Sequence, residues 1–279
     1  MHNIQQNTGF SADTELITLA ESLKSWFVNY VRGFFKNDVV SDLNFTLKEQ
    51  HTYRVVDEIK KLSKDISLNC RLAVLSELAA LFHDLGRFEQ YAQYQTFVDK
   101  KSENHARLSL KILNELSLLR ELQPSDRKAV IDAVGVHNQA TIPSGLTSDS
   151  LLLAKMLRDA DKLDIWRIVT DYYSDSQAVK NKSLELDLPD LPQVSERVFA
   201  SAMAGQTILS SDMQTLDDFK IMQIGWVYDL NFAYSFNECK KRNYIAKIKD
   251  AVADKKKAEA VYARADCFMN SKLKQAAKL

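Results

Sequence analysis

The chain has 279 residues, with 37 basic side chains against 37 acidic ones, a balance that excludes a global pull toward nucleic acid or an anionic membrane. Seven Gly and four Pro are too few for the tight turns of an all-β protein and point to long helices. Three scattered cysteines, Cys70, Cys239 and Cys267, exclude a disulfide framework and, with no signal-like start and no apolar run near the ~20 residues that span a bilayer, lead us to expect a cytoplasmic protein.

Apolar residues recur at helical spacing along most of the chain. Leu16, Leu19, Leu23, Trp26, Phe27 and Tyr30 mark a first amphipathic helix, with Ser11 or Asp13 as its expected cap. A second helix is expected from about Asp42 past Leu62, with His51, Val55, Ile59 and Leu62 on one face. A third, near Ser67 to Phe82, buries Leu75, Leu78, Ala79 and Phe82 and delivers the pair His83-Asp84 at its end. Residues 87–103 read as a short helix and loop; Tyr91, Tyr94 and Phe97 there suit either a lid or a stack on a base. Ser102 or Asn104 caps a helix whose His105, Leu108, Ser109 and Ile112 share a face. Pro124 opens the next helix, which ends near His137. A loop over 138–147 leads to a long helix with the inner stripe Leu153, Leu157, Asp161, Asp164 and Ile168. Asn181 to Pro192 reads as a loop, followed by helices over Ser195–Ala204, Leu216–Tyr234, Asn237–Ala251 and from Lys255 onward, with Trp226, Tyr228 and Phe232 as core. These elements make one all-α domain over residues 1–279, with a core at about 45–170 and a helical extension at about 171–279.

Four of the five histidines join two aspartates in an ordered set: His51, His83-Asp84, His105, His137 and Asp161, with only the terminal His2 outside it. The intervals of 32, 21, 32 and 24 residues place each group on or at the end of a different helix, and a helical bundle can gather such groups at its centre. Imidazole nitrogen with carboxylate oxygen suits Mn, Fe, Co, Ni or Zn better than Ca or Mg. Asp164 is a candidate to orient a ligand histidine, and Arg158 and Lys162 are candidates to bind an anion.

The segments EQHTYRVVDEI, ELAALFHDLGRFEQY, SENHARLSLKIL, VGVHNQA and LRDADKLDIW closely resemble the HD-domain superfamily of metal-dependent phosphohydrolases, over roughly residues 45–170. The resemblance implies an all-helical HD bundle with extra C-terminal helices. It implies a first divalent transition metal on His51, His83, Asp84 and Asp161. His105 and His137 match the two extra histidines of the two-metal branch, in which the Asp84 position bridges both ions. In a one-metal enzyme they would instead contact substrate or donate a proton. Arg87 stands where two-metal phosphodiesterases of this family commonly carry a phosphate-contacting Lys, and its guanidinium offers a bidentate fork for the same anion.

The expected reaction is attack of a metal-bound hydroxide on the phosphorus of a nucleotide or another small phosphomonoester or phosphodiester, with Asp84 bridging the metals and Arg87 binding the phosphate. The expected partner is thus a small phosphate ester, with no membrane and no sign of nucleic acid, and a symmetric dimer is the default assembly. The Gly-Tyr-Pro signature of cyclic-di-GMP enzymes is missing: Asn-Gln-Ala-Thr-Ile-Pro follows His137. A di-iron oxygenase of the kind resembling myo-inositol oxygenase could use the same six ligands, but its substrate-binding Lys, four residues after the last histidine, is here Thr141. A non-catalytic nucleotide-sensing HD domain is the third reading; such domains usually lose ligands, and all six are present.

Overall fold

The computed structural model describes residues 8–175 and 182–278; His2 and Asn181 lie outside the described residues. Regular structure among these is entirely helical, as the periodicity and sparse Gly and Pro predict. None of the described helices is long and apolar enough to cross a membrane. The chain forms two compact units, the first ending at Leu157 and the second beginning at Arg158. That division falls inside a helix.

The first unit contains α1 (Thr8–Arg32), α2 (Val39–Asp65), α3 (Cys70–Phe82), α4 (Gly86–Tyr94), α5 (His105–Glu115), α6 (Pro124–Val136) and the start of α7 (Ser148–Ser174). Helix α1 runs through Ser11 and Asp13, so neither caps it. It buries Leu23, Phe27 and Val31 at steps of four, each burial worth about 1.5–3 kcal/mol. Helix α2 begins ahead of Asp42 because Asp38 is the better cap, its carboxylate accepting the Ser41 N–H at 2.8 Å. Helix α3 likewise begins at Asn69, which accepts the Leu72 N–H at 2.9 Å, while Ser67 lies in a left-handed turn at φ 51°. Phe88 of α4 is fully buried, and its ring lies 6.0, 5.8 and 6.3 Å from those of Phe27, Phe34 and Phe45. This aromatic cluster ties α4 to α1 and α2, and so holds the chain that follows Asp84.

The second unit continues α7 and adds α8 (Lys182–Glu185), α9 (Glu196–Ala204), α10 (Leu216–Gly225), α11 (Ala233–Lys241), α12 (Tyr244–Ala251) and α13 (Lys255–Ala276). Its core gathers Trp166, Val198, Ile221, Ile224, Ile248 and Val261, with Trp226 and Tyr228 partly buried against it. The segment Leu216–Tyr234, expected as one helix, is broken. The buried Asp159 carboxylate accepts the backbone N–H groups of Asn231 and Phe232 at 3.0 and 3.1 Å, and these amides are lost to any helix ladder. The expected helix Asn237–Ala251 is also split, at Asn243 with φ 56°, a left-handed conformation that Asn tolerates. Residues 182–185, expected in a loop, form a single helical turn.

Candidate metal centre

His51 points inward from α2 on the same stripe as Val55, Ile59 and Leu62, all nearly inaccessible. His83 caps the C-terminal end of α3, and His137 does the same for α6. His105 opens α5 behind Asn104, whose side chain accepts the Arg107 N–H at 3.0 Å. At helix ends, neighbouring side chains escape the 100° rotation of a continuous helix, so His83 and Asp84 can serve one site. The turn between them and α4 is pinned by Ser109: its hydroxyl donates to the His83 carbonyl at 2.9 Å and accepts the Gly86 N–H at 2.8 Å.

The ring hydrogen bonds assign the histidine nitrogens. The last carbonyls of a helix lack amide partners. His83 Nδ1 donates to the Ala80 carbonyl and His137 Nδ1 to the Val134 carbonyl, both at 2.7 Å. A carbonyl only accepts, so each Nδ1 carries a proton, which leaves Nε2 as the ring nitrogen that could bind a metal. His105 Nδ1 faces the Asp99 carboxylate at 2.8 Å, which leaves its Nε2 in the same state. The Nε2 atoms of His105 and His137 are 3.1 Å apart. Arg87 Nη2 donates to His105 Nε2 at 3.4 Å, and a metal cation set between the two ring nitrogens would satisfy both lone pairs. Burial above all, and the Arg87 charge, push His105 below the usual histidine range against the pull of Asp99 and Asp84, so a proton is disfavoured. The donor chemistry fits a metal. A second pair, His51 and His83, brings its Nε2 atoms to 3.2 Å.

Asp84 lies between the two pairs. Its Oδ2 is 3.7 Å from Nε2 of both His51 and His83, and its Oδ1 is 3.6 Å from His105 Nε2. Asp84, His105 and His137 each offer a ligand atom within 4.8 Å of the others. Burial raises the Asp84 carboxyl, but Lys48 first, then His83, Arg87 and His105, overcome it and hold the group well below the usual carboxylate range. Asp84 is thus ionised, as a metal ligand must be.

Five of the six expected ligands are brought together within the first unit. Asp161 is half-buried on α7, one turn past Leu157 and within the second unit. Arg87 is held rather than free. Its Nη1 donates to Gln90 Oε1 at 2.8 Å, the Phe97 carbonyl at 2.6 Å and Asp99 Oδ1 at 3.0 Å. Its buried Nε has no hydrogen-bond acceptor and sits 3.4 Å from Asp84 Oδ1. Tyr91 and Phe97 are buried with ring centroids 4.9 Å apart and pack against each other; Tyr94 donates its hydroxyl to Glu103 at 2.8 Å. Asp164 accepts from Arg167 Nε at 3.2 Å, and Arg158 and Lys162 both pair with Asp229, at 2.7 and 2.6 Å.

Two site residues escaped sequence reasoning. Lys48, one helical turn before His51, puts Nζ 2.8 Å from Asp84 Oδ2; the only signal was its position on the His51 face. Asp99 lies in the loop before α5, where no periodicity singles out one carboxylate among many. Burial raises Asp99, but the His105 hydrogen bond and charge, with Arg87 and Gln90, bring it down to about 2. A carboxylate that orients a ligand histidine raises its basicity, and losing one costs about 10–100-fold in metal affinity. Asp99→Asn should therefore weaken metal binding at His105 and His137 by that factor in a metal titration; unchanged affinity would show that Asp99 is a structural bystander.

Among known families, residues 49–166 match the family model described as HD domain. No curated protein matches the chain, and no solved structure does.

Proposed function

Residues 49–166 of this chain are an HD domain, a member of a superfamily of metal-dependent phosphohydrolases, and on that premise we propose that the protein hydrolyses a phosphate ester, either a nucleotide or another small phosphomonoester or phosphodiester. The observation that carries this reading is Asp84, one oxygen turned toward His51 and His83 and the other toward His105. A carboxylate so placed suits two cations, one per histidine pair. His51, His83 and Asp84 would hold the first; Asp84, His105 and His137 would hold the second. The nitrogen and oxygen donors suit Mn, Fe, Co, Ni or Zn. Divalent ions in such a centre lower the pKa of water toward neutrality and neutralise phosphate charge.

The chain's own groups complete the proposal. Asp84 stays ionised and orients what binds between the pairs. His105 stays neutral at pH 7 and keeps its lone pair. Arg87 offers phosphate a rigid guanidinium whose buried Nε still lacks an acceptor. Thr141, exposed in the loop after α6, stands where the oxygenase carries its substrate-binding Lys, and this departure ranks the di-iron oxygenase reading below hydrolysis.

The test is metal content of protein purified without chelator, with phosphate release screened across nucleotides and generic phosphodiesters. About two metals per chain and metal-dependent release are expected. Two irons, no ester cleaved and oxygen uptake with an organic substrate would overturn the proposal. Tight nucleotide binding without turnover would also overturn it, in favour of a sensing domain.

A further inference from the structure

Lys48 belongs to the centre but is not one of the groups that could ligate a metal. Its Nζ meets Asp84 Oδ2 at 2.8 Å, while Arg87 Nε lies 3.4 Å from the other oxygen, Oδ1. The two cations therefore flank one carboxylate, Lys48 on the side of His51 and His83 and Arg87 on the side of His105. Both also lean on one ring, with Lys48 Nζ 5.2 Å and the Arg87 guanidinium carbon 5.8 Å from the Phe97 centroid. The Lys48 side chain is 17% exposed against 4% for Asp84, so Lys48 is the more accessible partner of the pair.

A dication on Oδ2 would compete with the ammonium for the same lone pairs and repel it. Lys has a flexible four-carbon stem and three rotatable donors, and the Phe97 ring lies beside the ammonium. We propose that Lys48 is a substrate-binding residue: released from Asp84 when the centre is loaded, its ammonium contacts a phosphate oxygen on the side of the site opposite Arg87. This rests on the phosphohydrolase reading. It defines the ligand as a phosphate group that takes positive charge from two sides, as a phosphomonoester dianion can.

The test measures binding of inorganic phosphate to Mn-loaded protein by calorimetry, together with metal content, for wild type, Lys48→Met and Lys48→Arg. A phosphate contact predicts at least about tenfold weaker phosphate binding in K48M at unchanged metal content, substantial recovery in K48R, and a raised KM with a smaller change in kcat on any ester that is cleaved. Loss of metal from K48M, with unchanged phosphate affinity per loaded site, would overturn the proposal and make Lys48 a positioning residue for Asp84. Unchanged metal and phosphate binding would overturn it too, as would failure of the loaded wild type to bind phosphate. If K48M does not fold, K48R decides: recovery of phosphate affinity supports the contact, and loss of metal counts against it. Lys48-dependent phosphate binding without hydrolysis of any ester would sink the proposed function and leave this inference standing.

Discussion

Asp84→Ala is expected to lower metal-dependent phosphate release by at least about a thousandfold and to yield protein without stoichiometric metal. The size follows from the position of the carboxylate. It is turned toward both histidine pairs, at 3.7 Å from His51 and His83 and 3.6 Å from His105. Removing it deprives both cations of their shared anion. It also leaves Lys48 and Arg87 facing each other across the vacated position, which adds a stability cost. Asp84→Asn separates the two effects. It keeps the shape and two hydrogen-bonding atoms but removes the charge, so it should fold better than the Ala variant and still fail to hold metal. Metal content by elemental analysis and phosphate release are the two readouts. Full metal occupancy in either variant would mean that the histidines alone build the centre, and the bridging role assigned to Asp84 would fall.

Gly86→Ala should destabilise the protein by about 2–4 kcal/mol and disturb the second histidine pair. A Cβ at Gly86 would lie 2.5 Å from the His105 carbonyl oxygen, 2.7 Å from the Ser109 amide nitrogen and 2.8 Å from Leu108 Cβ. Two of these are backbone atoms of α5, so no side-chain rotation relieves the clash. The helix must move, and it carries His105 with it. The Gly86 N–H bond to Ser109 Oγ, itself bound to the His83 carbonyl, would be strained by the same shift. Thermal melting and a metal titration check both halves of the expectation. Gly225→Ala is the control: the new Cβ would find only Ile208 Cδ1 at 3.6 Å, ordinary contact at a helical position where Ala is the better helix former. A G86A variant as stable as G225A, with unchanged metal affinity, would refute the close-packing argument.

Much of the candidate site was legible in the residues. Five histidines are few enough for their order to stand out, and His83-Asp84 with Asp161 gave that order a chemical sense. Arg87 was found by its place in His-Asp-Leu-Gly-Arg, although its bonds to Gln90, Phe97 and Asp99 were not visible there. Tyr91 and Phe97 were ambiguous for a physical reason: an aromatic side chain buries equally well against protein or a base, and only its neighbours in the fold decide.

By itself the sequence determined the helical class, most helix positions and the ordered set of candidate metal-ligating residues. These follow from local facts: the 3.6-residue period of apolar side chains, the cap at Asn104, the helix-opening Pro124, and the chemistry of imidazole and carboxylate. Only the tertiary structure decided that Asp84 divides its oxygens between two histidine pairs, that Lys48 and Asp99 belong to the centre, and that Gly86 admits no side chain. It alone showed that the helix after Leu216 stops where Asp159 captures the amides of Asn231 and Phe232. Each of these depends on a group supplied from elsewhere in the chain, as Lys48 meets Asp84 across 36 positions and Asn231 meets Asp159 across 72. Periodicity records which way a side chain faces along its own helix; what it meets there is set by the packing of helices against one another.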